Sequence, residues 1–362
     1  MARPTIKDIA AQAGVSFKTV SRVLNGYTSV ADELRERVEH AMRELGYRPN
    51  QAARQMRGRK AFAIALIPAL RHHIDEIGQD RRMPGYISDV IAGALQACQK
   101  ADYRLLIETL TAPEEPEWRE AFERFLDCTR IDGLLLVPPL CDDPWLLGHL
   151  ADRGIRVARL NPGTRQDEGF CTVIDNHAAS RAVIAHLSSQ GHRHIAFIKG
   201  PADHRAQADR TRGVLDAASK IDDIRLDLRQ GDFLFGSGLS IAREMLDQRD
   251  RPTAIYAAND EMAAGVLAAA VERGLQVPRD LSIVGFGGLL VSEMTWPRIS
   301  TVYQPTIAMA RDLARKLIES AGDDPGPAND LRIEPFRLVE RQSVAPPSPS
   351  PAANTPAIQH PD

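Results

Sequence analysis

The sequence lacks the features of a membrane protein and of a disulfide-rich secreted scaffold. No apolar run in its 362 residues approaches the roughly 20 residues that span a bilayer. The few cysteines show no C-x-x-C spacing and no disulfide framework, which fits a reducing compartment; they are Cys98, Cys128, Cys141 and Cys171. Because no apolar secretory core follows Met1, we expect a cytoplasmic protein.

Motifs of catalysis and of nucleotide or metal binding are missing or incomplete. The GFGG run at 285–288 lacks the glycine spacing of a dinucleotide loop. The Gly236-Ser237-Gly238 run is not a G-x-S-x-G motif. His192 and His194 alternate on one strand, but no nearby cysteine or carboxylate completes a metal site. We therefore expect no enzyme activity, no cofactor and no metal, and a structural or solvated role for the histidines.

What the chain does contain is ample apolar sequence and an uneven distribution of charge. Hydrophobic residues make up 43% and charged residues 26%, over a length that predicts two or more domains. Residues 1–60 hold twelve Lys and Arg against six Asp and Glu, whereas the rest holds 33 against 42. A basic head on an acidic body is typical of a nucleic-acid-binding module joined to another domain, although a solvated basic face has the same composition.

The hydrophobic pattern divides the chain into four parts. Short amphipathic helices with turn residues occupy 1–48, and a basic stretch at 49–60 follows. Between 61 and 345, apolar strands alternate with helices, which predicts an α/β core of parallel sheets covered on both faces. The Pro-, Ser- and Ala-rich segment 346–362 has little to bury and is expected to be disordered.

The core is long enough for two parallel-sheet subdomains. One would comprise about 61–174 and 305–330, and the other about 175–304 and 331–345. The predicted strands include 157–160, 254–257 and a last strand at 332–338.

Residues 5–24 have the layout of a helix-turn-helix. Gly14 supplies the break between the two helices, because a turn residue there can require a positive φ. Ser16 can cap the second helix, in which Val20 and Val23 point inward.

The exposed side of this second helix carries residues suited to reading DNA. Lys18 and Arg22 lie four residues apart, and either can donate to guanine O6 and N7 in the major groove. Phe17 can pack on a thymine methyl group or a sugar. Thr19 and Ser21 suit phosphate contacts. A small helical bundle without DNA function can imitate the same pattern.

Several runs of sequence closely resemble the lactose/galactose repressor (LacI/GalR) family. In the first 60 residues they are PTIKDIA at 4–10, AGVS at 13–16, TVSRVLNG at 19–26 and ELGYRPN at 44–50. In the core they are IDG at 131–133, GHRHIAFI at 191–198, AND at 258–260 and VGF at 284–286. The resemblance covers about residues 1–340.

The resemblance implies an all-α helix-turn-helix head, a hinge helix, and an α/β core that resembles periplasmic sugar-binding proteins. It implies a homodimer that binds a pseudopalindromic operator in double-stranded DNA and represses carbohydrate-utilisation genes until a sugar or sugar derivative binds. Two alternatives stay open: a non-sugar or anionic effector that acts as corepressor, and a ligand-binding protein without DNA function.

The resemblance also implies the DNA contacts of the hinge. Met56 matches a leucine that wedges between operator bases, although it can also be a linker residue that packs on the core. The full expected DNA-binding set is Thr5, Ser16, Phe17, Lys18, Thr19, Ser21, Arg22, Asn25, Tyr47, Asn50, Ala53 and Met56.

For the effector, the resemblance implies contacts from Tyr86, Arg210, Phe233, Asn259 and Gly287, with Asp175 and His204 as weaker candidates. Phe233 would offer an aromatic platform, while Arg210 and Asn259 would offer planar donors to a neutral, hydroxyl-rich ring. Each has a structural alternative: Phe233 in the core, Tyr86 packed in a loop, Arg210 in a surface salt bridge, and Asn259 as a helix cap.

Two departures from the family pattern bear on the ligand. The family usually has aspartate after Val-Gly-Phe/Tyr, and this residue grips sugar hydroxyls, whereas this chain has Gly287 and Gly288. The charged loop at 69–83 is also longer than usual. Loss of a carboxylate here would favour an anionic ligand, such as a sugar acid or a phosphate.

Overall fold

The computed structural model describes residues 4–24, 29–47, 60–68, 84–108, 117–322 and 329–348. The expectations for Asn25, Asn50, Ala53, Met56, the hinge up to residue 59, the loop 69–83 and the tail from 349 lie outside the described residues. Contacts within the chain define two units, Met1–Phe62 and Ala63–Asp362, which we call the head and the core.

The described part of the head contains three helices: α1 (Ile6–Ala13), α2 (Phe17–Leu24) and α3 (Asp32–Glu44). Each contributes one apolar stripe to a shared cluster, as the three- and four-residue spacing of its apolar positions predicts. The buried members of this cluster are Ile9, Ala13, Val20, Val23, Val30, Val38 and Ala41.

Gly14 ends α1 with a φ of 61°, the left-handed conformation that glycine adopts without steric cost. Arg37 from α3 closes over this turn, and its guanidinium donates to the carbonyl of Ala13 at 2.7 Å. A Cβ atom at position 14 would lie 2.7 Å from that guanidinium. The predicted glycine break is therefore confirmed, since the left-handed conformation at this position favours glycine.

The first half of the core is built on a sheet whose described strand pairs are all parallel, in the order β11-β5-β4-β3-β1-β2. Its strands are β1 (Ala63–Ile67), β2 (Arg104–Ile107), β3 (Gly133–Leu136), β4 (Val157–Leu160), β5 (Gly169–Ile174) and β11 (Asn329–Glu334). The helices α4 (Gly85–Lys100), α5 (Glu117–Cys128), α6 (Pro144–Asp152) and α12 (Thr306–Ser320) accompany it.

The second half is built on a sheet in the order β12-β10-β9-β8-β6-β7. Its strands are β6 (His194–Lys199), β7 (Arg225–Gln230), β8 (Ala254–Ala257), β9 (Ser282–Gly287), β10 (Ser300–Tyr303) and β12 (Arg337–Val339). Its helices are α7 (Asn176–Ser189), α8 (Arg205–Ala218), α9 (Phe235–Leu246), α10 (Asp260–Glu272) and α11 (Val291–Met294). The pair β12–β10 is antiparallel, which differs from the all-parallel prediction.

The single strand predicted at 332–338 is wrong, because the structure has two strands there in different sheets. Strand β11 ends at Glu334 in the first half, and β12 begins at Arg337 in the second. Pro335 lies between them and has no N–H to donate to a ladder. The chain therefore leaves the first half at 335–336, a few residues after the expected boundary near 330.

Among the described residues, the chain passes between the halves at three places: near 175, near 304 and at 335–336. One hydrophobic cluster contains buried side chains of both sheets, including Ile64 and Leu160 from the first and Ile198 and Val302 from the second. Shared burial and repeated crossing tie the two halves together.

Candidate DNA-binding face and ligand cleft

The exposed side of α2 is the candidate DNA-binding face. Lys18 and Arg22 are exposed, and Phe17 retains 46% exposure although it is a large apolar side chain. Val20 and Val23 are buried against the other head helices, as the sequence predicted. The helix therefore presents two cations and one aromatic ring together on its solvent side.

Hydrogen bonds within the head occupy some of the expected DNA contacts. The Ser16 hydroxyl accepts the backbone N–H of Thr19 at 3.1 Å, which confirms its predicted capping role. The Thr19 hydroxyl also lies 2.9 Å from that of Ser16. Thr5 donates its N–H and its hydroxyl to the Asp8 carboxylate at 2.7 and 2.8 Å, and these bonds lower the pKa of Asp8. Tyr47 is half-buried against the head cluster.

In the core, candidate ligand-binding residues follow the carboxyl ends of parallel strands, where ligands of open α/β sheets usually bind. Asn161 follows β4, Asn259 follows β8 closely, and Gln304 follows β10. Tyr86 lies in the first turn of α4, and its polar neighbours include Asn161 of its own half and Arg210 of the second half. We call the region around Tyr86, Asn161 and Arg210 the ligand cleft.

Arg210 is a buried cation in the ligand cleft, with 6% of its surface exposed. Its Nε donates to Asn176 Oδ1 at 2.9 Å and one terminal nitrogen donates to the carbonyl of Ala258 at 2.6 Å. Burial lowers the pKa of Arg210 to about 10, so it stays protonated at neutral pH. The structure excludes the surface salt bridge that the sequence left open. The guanidinium is held in place by neutral acceptors.

Phe233 is partly buried and packs against the hydrophobic cluster of the core, and its surroundings hold it in place. Its φ is 72°, and its ring lies so close to Gly200 that a Cβ atom at position 200 would stand 2.1 Å away. The ring of His204 meets it edge-on, with centroids 5.1 Å apart. Asn259 donates its side-chain N–H to the Phe233 carbonyl at 2.7 Å.

Several expected ligand contacts also serve as helix caps. Asn259 Oδ1 accepts the N–H of Met262 at 3.0 Å. Asn259 therefore caps α10, which is the structural alternative that the sequence left open. His204 caps α8 through its ring, and Asp175 caps α7 by accepting the N–H of Ala178 at 2.8 Å. Their side chains are therefore fixed before any ligand arrives.

Three buried oxygens at the described carboxyl ends make no hydrogen bond of normal geometry. They are the hydroxyl of Tyr86 and the side-chain carbonyls of Gln207 and Gln304. Burial raises the pKa of the Tyr86 hydroxyl above its ordinary value. Since an unsatisfied buried polar atom is unfavourable, these oxygens suit a ligand that brings its own donors.

The position where the family usually has aspartate has a distinctive backbone. Gly287 ends β9 with a φ of 127°, which side-chain-bearing residues rarely adopt. The nearest described carboxylate is that of Asp260, which accepts the N–H of Leu289 at 2.6 Å and the hydroxyl of Thr301 at 2.5 Å. Burial raises the pKa of Asp260 to about 6. This carboxylate is thus engaged within the protein.

A buried ion pair stabilises the loop that carries Asn161. Arg159 is completely buried, and its guanidinium lies 3.3 Å from Asp142. Arg159 also donates to the carbonyls of Cys141 and Thr164 at 2.7 and 2.8 Å. The Asp142 carboxylate in turn accepts the N–H of Gly163 at 2.9 Å. These bonds fix one wall of the ligand cleft.

Sequence reasoning missed Asn161, Asn176, Gln207 and Gln304. Their one shared signal is position, since each lies at the end of a strand or in the first turn of the helix that follows. His192, for which sequence reasoning expected a structural or solvated role, is buried and forms hydrogen bonds with Thr253 and Ser282 at 2.9 and 3.0 Å.

The described ranges contain neither a metal-binding cluster nor a membrane-spanning helix. There, no cluster of three or more His, Cys, Asp or Glu side chains could hold a metal ion. None of the helices in these ranges has the length and apolar character that crossing a bilayer requires.

Comparison with known proteins gives two family matches. Residues 5–50 match the profile described as bacterial regulatory proteins, lacI family, and residues 184–344 match a periplasmic binding protein-like domain. The HTH-type transcriptional repressor PurR of Edwardsiella ictaluri is 33% identical over 351 residues, covering 94% of this chain and 97% of that protein. The regulator CelR of Thermobifida fusca is 32% identical over 341 residues, covering 93% of this chain and 95% of that protein.

Solved structures give the same picture. The lac repressor dimer bound to operator and the anti-inducer ONPF aligns with a TM-score of 0.75 at 26% identity, covering 95% of this chain and all of that one. The complex of the regulator CelR with cellobiose aligns with a TM-score of 0.67 at 28% identity, covering 94% of this chain and 100% of the CelR chain.

Proposed function

The chain belongs to the LacI family of bacterial regulatory proteins, which are DNA-binding transcriptional regulators, and we propose that it represses carbohydrate-utilisation genes until a sugar or sugar derivative binds. The observation that carries the proposal is α2, with Lys18 and Arg22 exposed over a buried Val20 and Val23. A helix of this kind places its cations against base edges in the major groove. The protein acts in the cytoplasm and catalyses no reaction.

The proposed DNA contacts are those that the sequence suggested. Among the described residues of the head, they are Thr5, Ser16, Phe17, Lys18, Thr19, Ser21, Arg22 and Tyr47. For Thr5 and Thr19, contact with a phosphate exchanges a hydrogen bond within the head for one to DNA. Residues of the hinge complete the set.

The proposed effector is a neutral, hydroxyl-rich ring. The buried carbonyls of Gln207 and Gln304 need donors, which hydroxyl groups supply. Phe233 offers an apolar face of the kind on which a sugar ring stacks, and Arg210 adds N–H donors. The effector contacts are therefore proposed to be Tyr86, His204, Arg210, Phe233, Asn259 and Gly287. The relative CelR was solved with cellobiose, which makes this disaccharide the first ligand to try.

The protein is proposed to act as a homodimer on a pseudopalindromic operator. Leu290, Met294 and Trp296 stand 69%, 75% and 82% exposed around α11, an unusual concentration of apolar surface. A second copy of the chain would bury it, and a two-fold axis would place two heads on half-sites about one helical turn apart.

Effector binding is proposed to act through two-state linkage. A sugar that binds one arrangement of the halves more tightly shifts the population toward it, and the hinges then lose their register on DNA. A coupling of about 1–3 kcal/mol is usual for such systems.

The test is a gel-shift titration of the full-length protein with the DNA upstream of its own gene, at several salt concentrations. We expect a shift at low salt that weakens steeply as salt rises. A thermal-shift screen of cellobiose, other sugars and sugar acids selects the compounds that bind the protein. These compounds are then added to the protein–DNA complex. A duplex that stays unshifted at low salt overturns DNA binding, and a complex that no sugar dissociates overturns release by a sugar.

A further inference from the structure

A single side chain of the second half reaches the start of a first-half helix. The backbone N–H of Gly85, the first residue of α4, donates to Glu261 Oε1 at 2.8 Å. Glu261 is the second residue of α10 and lies 176 positions away in the sequence. The bond therefore connects the two halves directly, next to the ligand cleft.

The start of α4 gains an acceptor that its own sequence does not supply. The N-cap residue is Pro84, which makes no side-chain capping bond. First-turn N–H groups have no acceptor within their helix, and the positive end of the helix dipole favours a negative charge. Glu261 provides both the acceptor and the charge from across the cleft.

The fit around this bond is close. A Cβ atom at Gly85 would lie 3.3 Å from Glu261 Oε1 and 3.4 Å from a methyl group of Leu289, which also belongs to the second half. The next residue along α4 is Tyr86, whose buried hydroxyl has Asn161 and Arg210 as neighbours. Whatever fixes the first turn of α4 therefore also fixes where Tyr86 points.

We propose that Glu261 is a positioning residue for the ligand cleft: by capping α4 from the opposite half, it holds Tyr86 in place and fastens the halves in this arrangement. The proposal deepens the proposed function, because it takes the ligand cleft as the effector site. The capping of α4 by Glu261 across the cleft does not depend on binding of DNA or sugar.

The experiment is hydrogen–deuterium exchange on the full-length protein without DNA or sugar. Three variants are compared with the wild type: Glu261→Ala, Glu261→Gln, which keeps an acceptor oxygen, and Glu244→Ala, a matched change at an exposed glutamate of α9. We expect peptides over 85–91 to exchange about tenfold faster in Glu261→Ala, consistent with loss of a hydrogen bond to a charged group. Glu261→Gln should stay within about threefold of the wild type, and Glu244→Ala should match it.

Nitration by tetranitromethane then reports on Tyr86 itself. Tyr86 should react faster in Glu261→Ala and at the wild-type rate in Glu261→Gln, while the fully buried Tyr256 stays protected in all variants. Unchanged exchange at 85–91 in Glu261→Ala overturns the proposal. So does faster exchange over the whole chain with nitration of Tyr256, since that outcome makes Glu261 a general stability residue. Neither readout depends on operator or effector, so failure of the proposed function is seen separately.

Discussion

The guanidinium carbon of Arg210 lies 3.7 Å from the centroid of the Phe286 ring, so the charged plane is stacked on an aromatic face. A lysine at this position keeps the charge but loses the planar fork and its stacking. We expect Arg210→Lys to weaken binding of the effector about 10- to 100-fold, while operator affinity without effector changes less than about threefold. Calorimetric titration with the sugar that gives the largest thermal shift measures the affinity for the effector. Fluorescence anisotropy with labelled DNA measures the affinity for the operator.

The exposed Arg212 on the same helix provides the control, since Arg212→Lys should bind the sugar like the wild type. If Arg210→Lys does so too, the guanidinium has no special role in the ligand cleft.

Arg22 is expected to read bases and not only phosphates. Arg22→Ala should lose about 1–3 kcal/mol of affinity for the operator, and much less for random duplex of equal length. Both affinities are measured by anisotropy at one fixed salt concentration. Arg43→Ala, which removes an exposed cation from α3, serves as the comparison. Equal losses on the two DNAs would make Arg22 a phosphate contact.

Removal of Asp142 should strongly destabilise the core. The variant Asp142→Ala leaves the completely buried Arg159 without its carboxylate and the N–H of Gly163 without its acceptor. Breaking a buried pair in this way typically lowers the free energy of unfolding by about 3–5 kcal/mol. Urea denaturation measures the change.

The comparison for this prediction is Asp152→Ala at an exposed position of α6, which should stay within about 0.5 kcal/mol of the wild type. A similarly small change in Asp142→Ala would mean that water replaces the carboxylate.

Asp260 should make the stability of the protein depend on pH. Burial raises its pKa from an ordinary 3.8 to about 6, so between these values the native state binds more protons than the unfolded state. The stabilisation that this group contributes is therefore complete below the window and lost as pH rises through it. Relative to Asp260→Asn, the wild type should gain about 2 kcal/mol between pH 7 and pH 4.

Urea denaturation of both proteins across this pH range measures the difference, in which other titrating groups largely cancel. A constant difference between the two proteins would show that Asp260 titrates normally.

The strands that sequence reasoning located best are those buried on both faces. The predicted strands at 157–160 and 254–257 have the same limits as β4 and β8. They were located well because a short, continuous apolar run between turn residues is typical of a strand buried on both faces. Strand β7 was missed since Leu226 and Leu228 alternate with charged residues at the edge of the sheet. Strand β5 and the short β10 were missed as well.

The candidate sites divide in a similar way. The inward Val20 and outward Lys18 follow from helical spacing alone. The environment of Arg210 does not, because its partners Asn176 and Ala258 come from distant segments. The bond between Gly85 and Glu261 was equally invisible, since sequence patterns describe neighbours along the chain and not across a cleft.

The repeated passage of the chain between the halves has a consequence for biosynthesis. The first half needs β11 at its edge, and the second needs β12, yet both strands come after every other strand and helix of the core. On the ribosome, the first sheet cannot be completed until residue 334 has emerged and the second not until residue 339 has, whereas the head can form as soon as its own helices are clear. A nonsense mutation shortly before residue 329 would thus leave two unfinished sheets, each with an open flank that invites aggregation.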